Sequence, residues 1–206
     1  MRIALLGGTG SFGKALAVRL RDAGYDVVLG SRDAARAAEA AAPLGVEGAT
    51  NEEAARVADL VVLATKAGAA VETARSLRGA IGSTPVLCVA SELRFTPQGV
   101  LPTEEATSCA ERMQAVLDAP VVAGLHSLAA ATLGGEEPPD EDALVCGDDQ
   151  AAKGLALELA ERVTNGRAVD AGPLASARAL EGMTAVIVNV NKRYRTHAGL
   201  RITGLR

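Results

Sequence analysis

The chain has 206 residues and a formal net charge of −4 at pH 7, with 49% hydrophobic and 22% charged residues, which suits one core-forming domain with or without a small appendage. The acidic balance gives no global reason to bind nucleic acid or an anionic membrane, and two Phe, two Tyr and no Trp leave little to stack on bases. Three scattered cysteines, Cys88, Cys109 and Cys146, fit neither a disulfide framework nor a metal cluster, so reduced thiols and no metal site are expected.

Short apolar runs alternate with Ala-rich helical stretches along the first half: "RIALLG" then "SFGKALAVRLRDAG", "YDVVLGS" then "DAARAAEAAA", "DLVVLAT" then "GAAVETARSL", and "TPVLCVA". Brief runs of Val, Ile and Leu suit parallel strands covered on both faces, and the intervening lengths suit crossover helices. The pattern continues through "APVVAGLHS", "DALVCGDDQ", a helix over about 151–162, and "GRAVDAG". After Pro173 comes "LASARALEGMTAVIVNVNKRY", the longest helix candidate, whose stretch from Met183 to Val190 is apolar nearly all round. Such a helix needs more cover than one sheet supplies, which points to a subunit interface or a substrate pocket. "GGEEPPDED", Gly134 to Asp142, reads as a flexible acidic loop. The predicted class is α/β: a Rossmann-type doubly wound, mostly parallel sheet with a small C-terminal helical or α+β portion. The amino end lacks the apolar length and cleavage site of a signal peptide, and no membrane span is visible, so a cytoplasmic protein is expected.

Gly8-Thr9-Gly10-Ser11-Phe12-Gly13 fits G-x-G-x-x-G between a strand and a helix. The first glycine allows the tight turn, the second lets backbone approach a pyrophosphate, and the third lets helix and sheet close up. The helix end adds free N–H groups and partial positive charge. About twenty residues on, where an NAD site carries an acid for the ribose hydroxyl, stand Gly30-Ser31-Arg32, with Arg36 a turn later. One hydroxyl and two guanidiniums suit a 2′-phosphate, hence NADP, although Ser31 could equally cap the next helix. Thr65 and Lys66 follow "VVLA" at the carboxyl edge of the sheet, where Lys66 either reaches a cofactor anion or is a solvated loop lysine. Asp148 and Asp149 read as helix caps.

"RIALLGGTGSFGKALAVRL", "VVLGSR", "LHS", "LVCGDD" and "DAGPLASARALEGMTAVIVNV" together resemble the NADPH-dependent reductases of coenzyme F420, a deazaflavin. The resemblance implies a Rossmann-type domain over residues 1–147, a small C-terminal portion over 148–206 and a homodimer, with hydride moving between nicotinamide C4 and deazaflavin C5. Its nucleotide pocket falls on Thr9, Ser11, Phe12, Ser31, Arg32 and Arg36, and its deazaflavin pocket on His126, Leu128, Arg178 and Thr184. Lys66-Ala67 stands where the family often has a Pro-aromatic pair, and Gly182 replaces a small polar residue. His126 is expected to orient or polarise a ring, or else to be a hydrogen-bonded core histidine. Two other functions compete: an NADPH-dependent reductase of a flavin, carbonyl or imine, and a non-catalytic NADP-binding protein. The basic tail, Lys192, Arg193, Arg195, Arg201 and Arg206, either stabilises a helix end or attracts an anionic cofactor tail.

Overall fold

The structure is a computed structural model that describes residues 1–205; Arg206 of the basic tail lies outside them. Strand β1 (Arg2–Leu6) enters helix α1 (Ser11–Asp22) through the glycine loop, and β2 (Asp26–Ser31) is followed by α2 (Ala34–Ala41). Next come β3 (Glu47–Thr50), α3 (Asn51–Arg56), β4 (Leu60–Leu63), α4 (Ala67–Ser76), the one-turn α5 (Arg78–Ile81) and β5 (Val86–Cys88). A hairpin, β6 (Leu93–Thr96) and β7 (Gly99–Pro102), precedes α6 (Cys109–Gln114), β8 (Val121–Gly124) and α7 (Ala130–Leu133). The chain ends through β9 (Ala143–Gly147), α8 (Gln150–Val163), β10 (Ala168–Asp170) and α9 (Ala177–Tyr194).

Eight strands form one sheet in the order β10-β9-β8-β5-β4-β1-β2-β3, and the hairpin stands apart from it. All neighbours are parallel except β8 and β9. β1 lies between β2 and β4, with Ile3 opposite both Val27 and Leu60, so the order reverses at β1 and a crevice opens beyond the carboxyl ends there. The central strands bury both faces, which is why they read as continuous apolar runs. Two apolar layers result, one under α1 and α8 built on Leu5, Leu16 and Leu159, the other under α3, α4 and α6 built on Leu63, Ala74 and Met113.

Four local expectations resolve clearly. Asp33, not Ser31, caps α2 by accepting from the Arg36 N–H at 2.8 Å, which leaves the Ser31 hydroxyl free of that role. Asp149 caps α8, whereas Asp148 accepts from the Leu174 N–H at 3.0 Å and holds the start of the last helical segment. The acidic loop is pinned rather than loose: buried Arg19 of α1 donates to the carbonyls of Leu133, Gly135, Glu136 and Glu137. On α9 only Ala185 of the Met183–Val190 stretch is buried, and Val186 is 61% exposed.

At Gly7 and Gly13 the glycine loop makes contacts that a side chain would break. Gly7 has φ +69°, and a Cβ there would lie 2.2 Å from Thr65 Cγ2. A Cβ on Gly13 would lie 2.4 Å from the Gly8 carbonyl oxygen, backbone that cannot swing aside, whereas one on Gly10 meets nothing within 4 Å. Gly13→Ala should therefore lower thermal stability clearly, while Gly10→Ala, at a helix N-cap, should stay within about 1 kcal/mol of the parent. Equal melting temperatures for the two variants would contradict this division.

Candidate active site

The crevice at the reversal of strand order is a cleft of about 510 Å³ lined by Thr9, Gly10, Ser31, Arg32, Arg36 and Lys66, among others. Helix α1 opens on it with Gly10 as N-cap and no side-chain cap, and α4 opens on it with Lys66 as N-cap, also without one. Both helix ends thus turn free N–H groups toward the cleft. Arg32, Arg36 and Lys66 add three cations that form no ion pair among the described residues, and no Asp or Glu lines the cleft. An anionic ligand is what this arrangement favours.

Thr65 also lines the cleft, and its hydroxyl is buried without a partner among the described residues. Gly8 and Gly13 form the packing contact beneath the cleft, while Ser11 and Phe12 begin α1, with Phe12 packed against the layer under it. Asn51 is a cleft residue that no motif signals. It is buried at the start of α3, accepts from the Gly7 N–H at 3.1 Å and lines the cleft, fastening the glycine loop to the ends of β2 and β3. Its nearest sequence cue is the capping box of Thr50 and Glu53, which starts the helix that carries it.

A second cluster lies at the carboxyl ends of β5 and β8. Leu125 is buried with φ +62°, a left-handed conformation unusual for a bulky residue, and it turns the chain sharply just before His126. His126 Nε2 lies 3.2 Å from the Ala90 carbonyl, which can only accept, so Nε2 carries the proton and Nδ1 is a bare, buried lone pair without a partner among the described residues. Thr184 of α9 donates to the His126 carbonyl at 2.9 Å and contacts the Ser91 hydroxyl at 3.0 Å. Ser127 donates to the Asp142 carbonyl at 2.9 Å, and the Asp142 carboxylate in turn meets Arg167 and the Ile202 N–H. Leu128 is buried in the layer under α1. Arg178 stands apart from this group, donating to the carbonyls of Thr103 at 2.5 Å and Glu105 at 3.1 Å. Beside it, a Cβ on Gly182 would meet only Pro102 Cγ at 3.7 Å, so the missing polar side chain leaves room.

Burial sets the charges here. His126 is pushed down from 6.5 to about 4 by desolvation, so the ring is neutral near pH 7. Glu181 of α9, 1% exposed, is pushed up from 4.5 to about 7 by desolvation, although its carboxylate accepts from the Cys109 N–H at 2.7 Å. The unfolded chain releases the Glu181 proton above pH 4.5 and the fold only near 7, so this contribution to stability is complete below 4.5 and lost as pH rises through 7. His126 acts oppositely: its contribution is present above 6.5 and lost as pH falls toward 4. The two slopes oppose each other between pH 4.5 and 6.5. Glu181→Gln keeps the acceptor for Cys109 and removes one slope. Its unfolding free energy in urea should then climb more steeply with pH across that window than the parent's; identical slopes would refute the assignment.

A family profile described as "NADP oxidoreductase coenzyme F420-dependent" matches residues 2–90. The F420-dependent NADP reductase of Methanothermobacter thermautotrophicus is 36% identical over 225 aligned residues, covering 100% of this chain and 96% of its own length. That of Methanocaldococcus jannaschii is 33% identical, with 100% and 99% covered. A solved protein of Arthrobacter sp. FB24, proposed to be an F420-dependent NADP-reductase, superimposes with a TM-score of 0.85 at 25% identity over 98% of this chain and 99% of its own. An imine reductase of Streptomyces aurantiacus shares the fold alone, with a TM-score of 0.65 at 23% identity, over 95% of this chain and 62% of the longer enzyme. With full-length identity to reductases of this kind and the glycine loop, cationic cleft and neutral histidine in place, the chain belongs to the F420-dependent NADP reductases.

Proposed function

We propose that this protein moves a hydride between NADP(H) and the deazaflavin coenzyme F420. The observation that carries the reading is the cleft at the strand-order reversal, which gathers two uncapped helix ends and three cations that, among the described residues, have no ion partner and no carboxylate beside them in the lining. Three phosphates on one dinucleotide match that charge. Arg32 and Arg36, with the Ser31 hydroxyl, bracket the 2′-phosphate, and Thr9, Gly10 and Ser11 present backbone N–H groups to the pyrophosphate. Lys66 meets the ligand from the opposite lip, with Thr65 beside it.

The bound cofactors supply the redox chemistry; the chain holds two flat rings face to face and keeps water away. His126, Leu128 and Thr184 wall the deazaflavin side, and Arg178 shapes it indirectly by fixing the segment after the hairpin. His126 has no spare proton near neutral pH, because its single N–H is committed to Ala90; it orients rather than protonates. Residues 1–147 carry the dinucleotide cleft, and 148–206 add the wall built on α9. Buried free thiols at Cys88, Cys109 and Cys146 fit the reducing cytoplasm, and among the described residues no helix is long and apolar enough to cross a membrane.

Mixing the protein with NADPH and oxidised F420 should bleach the deazaflavin's visible absorbance catalytically; no bleaching at any cofactor ratio would reject the reading. Arg32→Ala should weaken NADPH by roughly 1.5–3 kcal/mol, the scale of a charge-assisted bond, and leave NADH nearly unchanged. An unaltered NADPH-to-NADH affinity ratio would remove Arg32 from the site.

The same reading includes a homodimer. Met183, Val186, Ile187 and Val190 recur at helical spacing on one stripe of α9, partly or largely exposed, opposite the face through Glu181 and Ala185 that is buried. A two-fold axis lets such a stripe bury itself. Light scattering at micromolar concentration should give twice the chain mass, and a monomer would reject this pairing.

A further inference from the structure

We infer that Ser91, three residues beyond the end of β5, is a positioning residue for the deazaflavin wall, acting through the Thr184 hydroxyl. The inference rests on the hydride-transfer reading above. Its geometry is a count of protons. Thr184 has one proton and two neighbours that can only accept, the His126 carbonyl at 2.9 Å and the Leu180 carbonyl at 3.4 Å. Thr184 is therefore a donor to carbonyl oxygen, and the 3.0 Å contact between the two hydroxyls must be Ser91 donating to Thr184. A threonine inside a helix ordinarily turns its hydroxyl back to the carbonyl four residues earlier. Here that bond is the longer of the two, because Ser91 and the His126 carbonyl draw the hydroxyl off the helix.

Ala90 and Ser91 thus grip both sides of the wall. The Ala90 carbonyl accepts from the His126 ring, and the Ser91 hydroxyl fixes Thr184, which fixes the His126 main chain. Three segments far apart in sequence, the turn after β5, the turn after β8 and the middle of α9, close into one hydrogen-bonded loop. Since β5 neighbours β4, whose end lines the dinucleotide cleft, the loop sets the spacing between the two cofactor walls. Without the Ser91 proton, Thr184 is held only through its own donation to the His126 and Leu180 carbonyls, and the wall loses one of its two ties to the segment after β5.

The test is a double-mutant cycle on hydride transfer. Ser91→Ala should raise the KM for F420 and lower the single-turnover rate by roughly five- to tenfold together, the scale of one hydrogen bond, while NADPH affinity stays within about twofold. Thr184→Val alone should reproduce the loss, and adding Ser91→Ala to it should change nothing further, because the serine acts only through the hydroxyl already removed. Ser91→Thr, which keeps a donor, should restore the rate. Parental kinetics in Ser91→Ala, an undiminished loss in the Thr184→Val background, or a parallel fall in NADPH affinity would each overturn the inference. A parent protein that does not reduce F420 at all would instead overturn the functional reading, and the inference with it.

Discussion

The structure depends on how closely α1 lies on the sheet, and that distance is fixed by a missing carbon. Gly13 faces the Gly8 backbone across a gap in which a Cβ would sit 2.4 Å from the carbonyl oxygen. Because the helix can come this close, its free N–H groups reach the cleft and its underside, Leu16 and Leu20, fills the layer below. The same seating carries Arg19 to the carbonyls of the segment 133–137, and α1 packs on α7. That segment follows the turn bearing His126 and Leu128. One close approach therefore positions both the phosphate end of the cleft and the support of the second wall.

Charge is distributed against the average of the molecule. A chain with net charge −4 places Arg32, Arg36 and Lys66 around one cleft without carboxylate partners among the described residues, while most of its other arginines are spent in ion pairs such as Arg2 with Asp26 and Arg78 with Asp118. Unpaired cations repel one another, so their grouping costs stability that a bound polyanion recovers.

Sequence reading recovered what is local. The glycine loop, the missing acid after β2, the Asp149 cap and the alternation of strands and helices are all carried by residues close together in the chain, so spacing alone reveals them. The expectations that failed were also local ones, made where tertiary contacts decide: the loop over 134–142 has a flexible composition, yet Arg19 binds its backbone from over a hundred residues away. Asn51 bonding to Gly7, Ser91 to Thr184 and Glu181 to Cys109 join segments 44, 93 and 72 residues apart, and no periodicity encodes such meetings. The left-handed Leu125 was equally invisible, since leucine gives no sign of positive φ. The hairpin β6–β7 escaped because each of its strands is only four residues long and Pro102 stands within the second.

α9 shows why the second wall needed a structure to be understood. Its inward face, through Arg178, Glu181, Ala185 and Asn189, serves partners in several separate elements. Arg178 holds the segment after the hairpin, Glu181 receives the start of α6, and Asn189 pairs with Val100 of β7 through both its amide groups, at 2.8 and 2.7 Å, as a neighbouring strand would. Lys192 covers the Phe95 ring at 5.2 Å from its centre. A helix bound at so many points along its length cannot rotate or slide freely, so Thr184, between Glu181 and Asn189, is delivered to one position. That rigidity is what lets a single hydroxyl proton matter: on a loosely held helix the loss of the Ser91 bond would be absorbed by backbone motion, whereas here only the side chain is left to move.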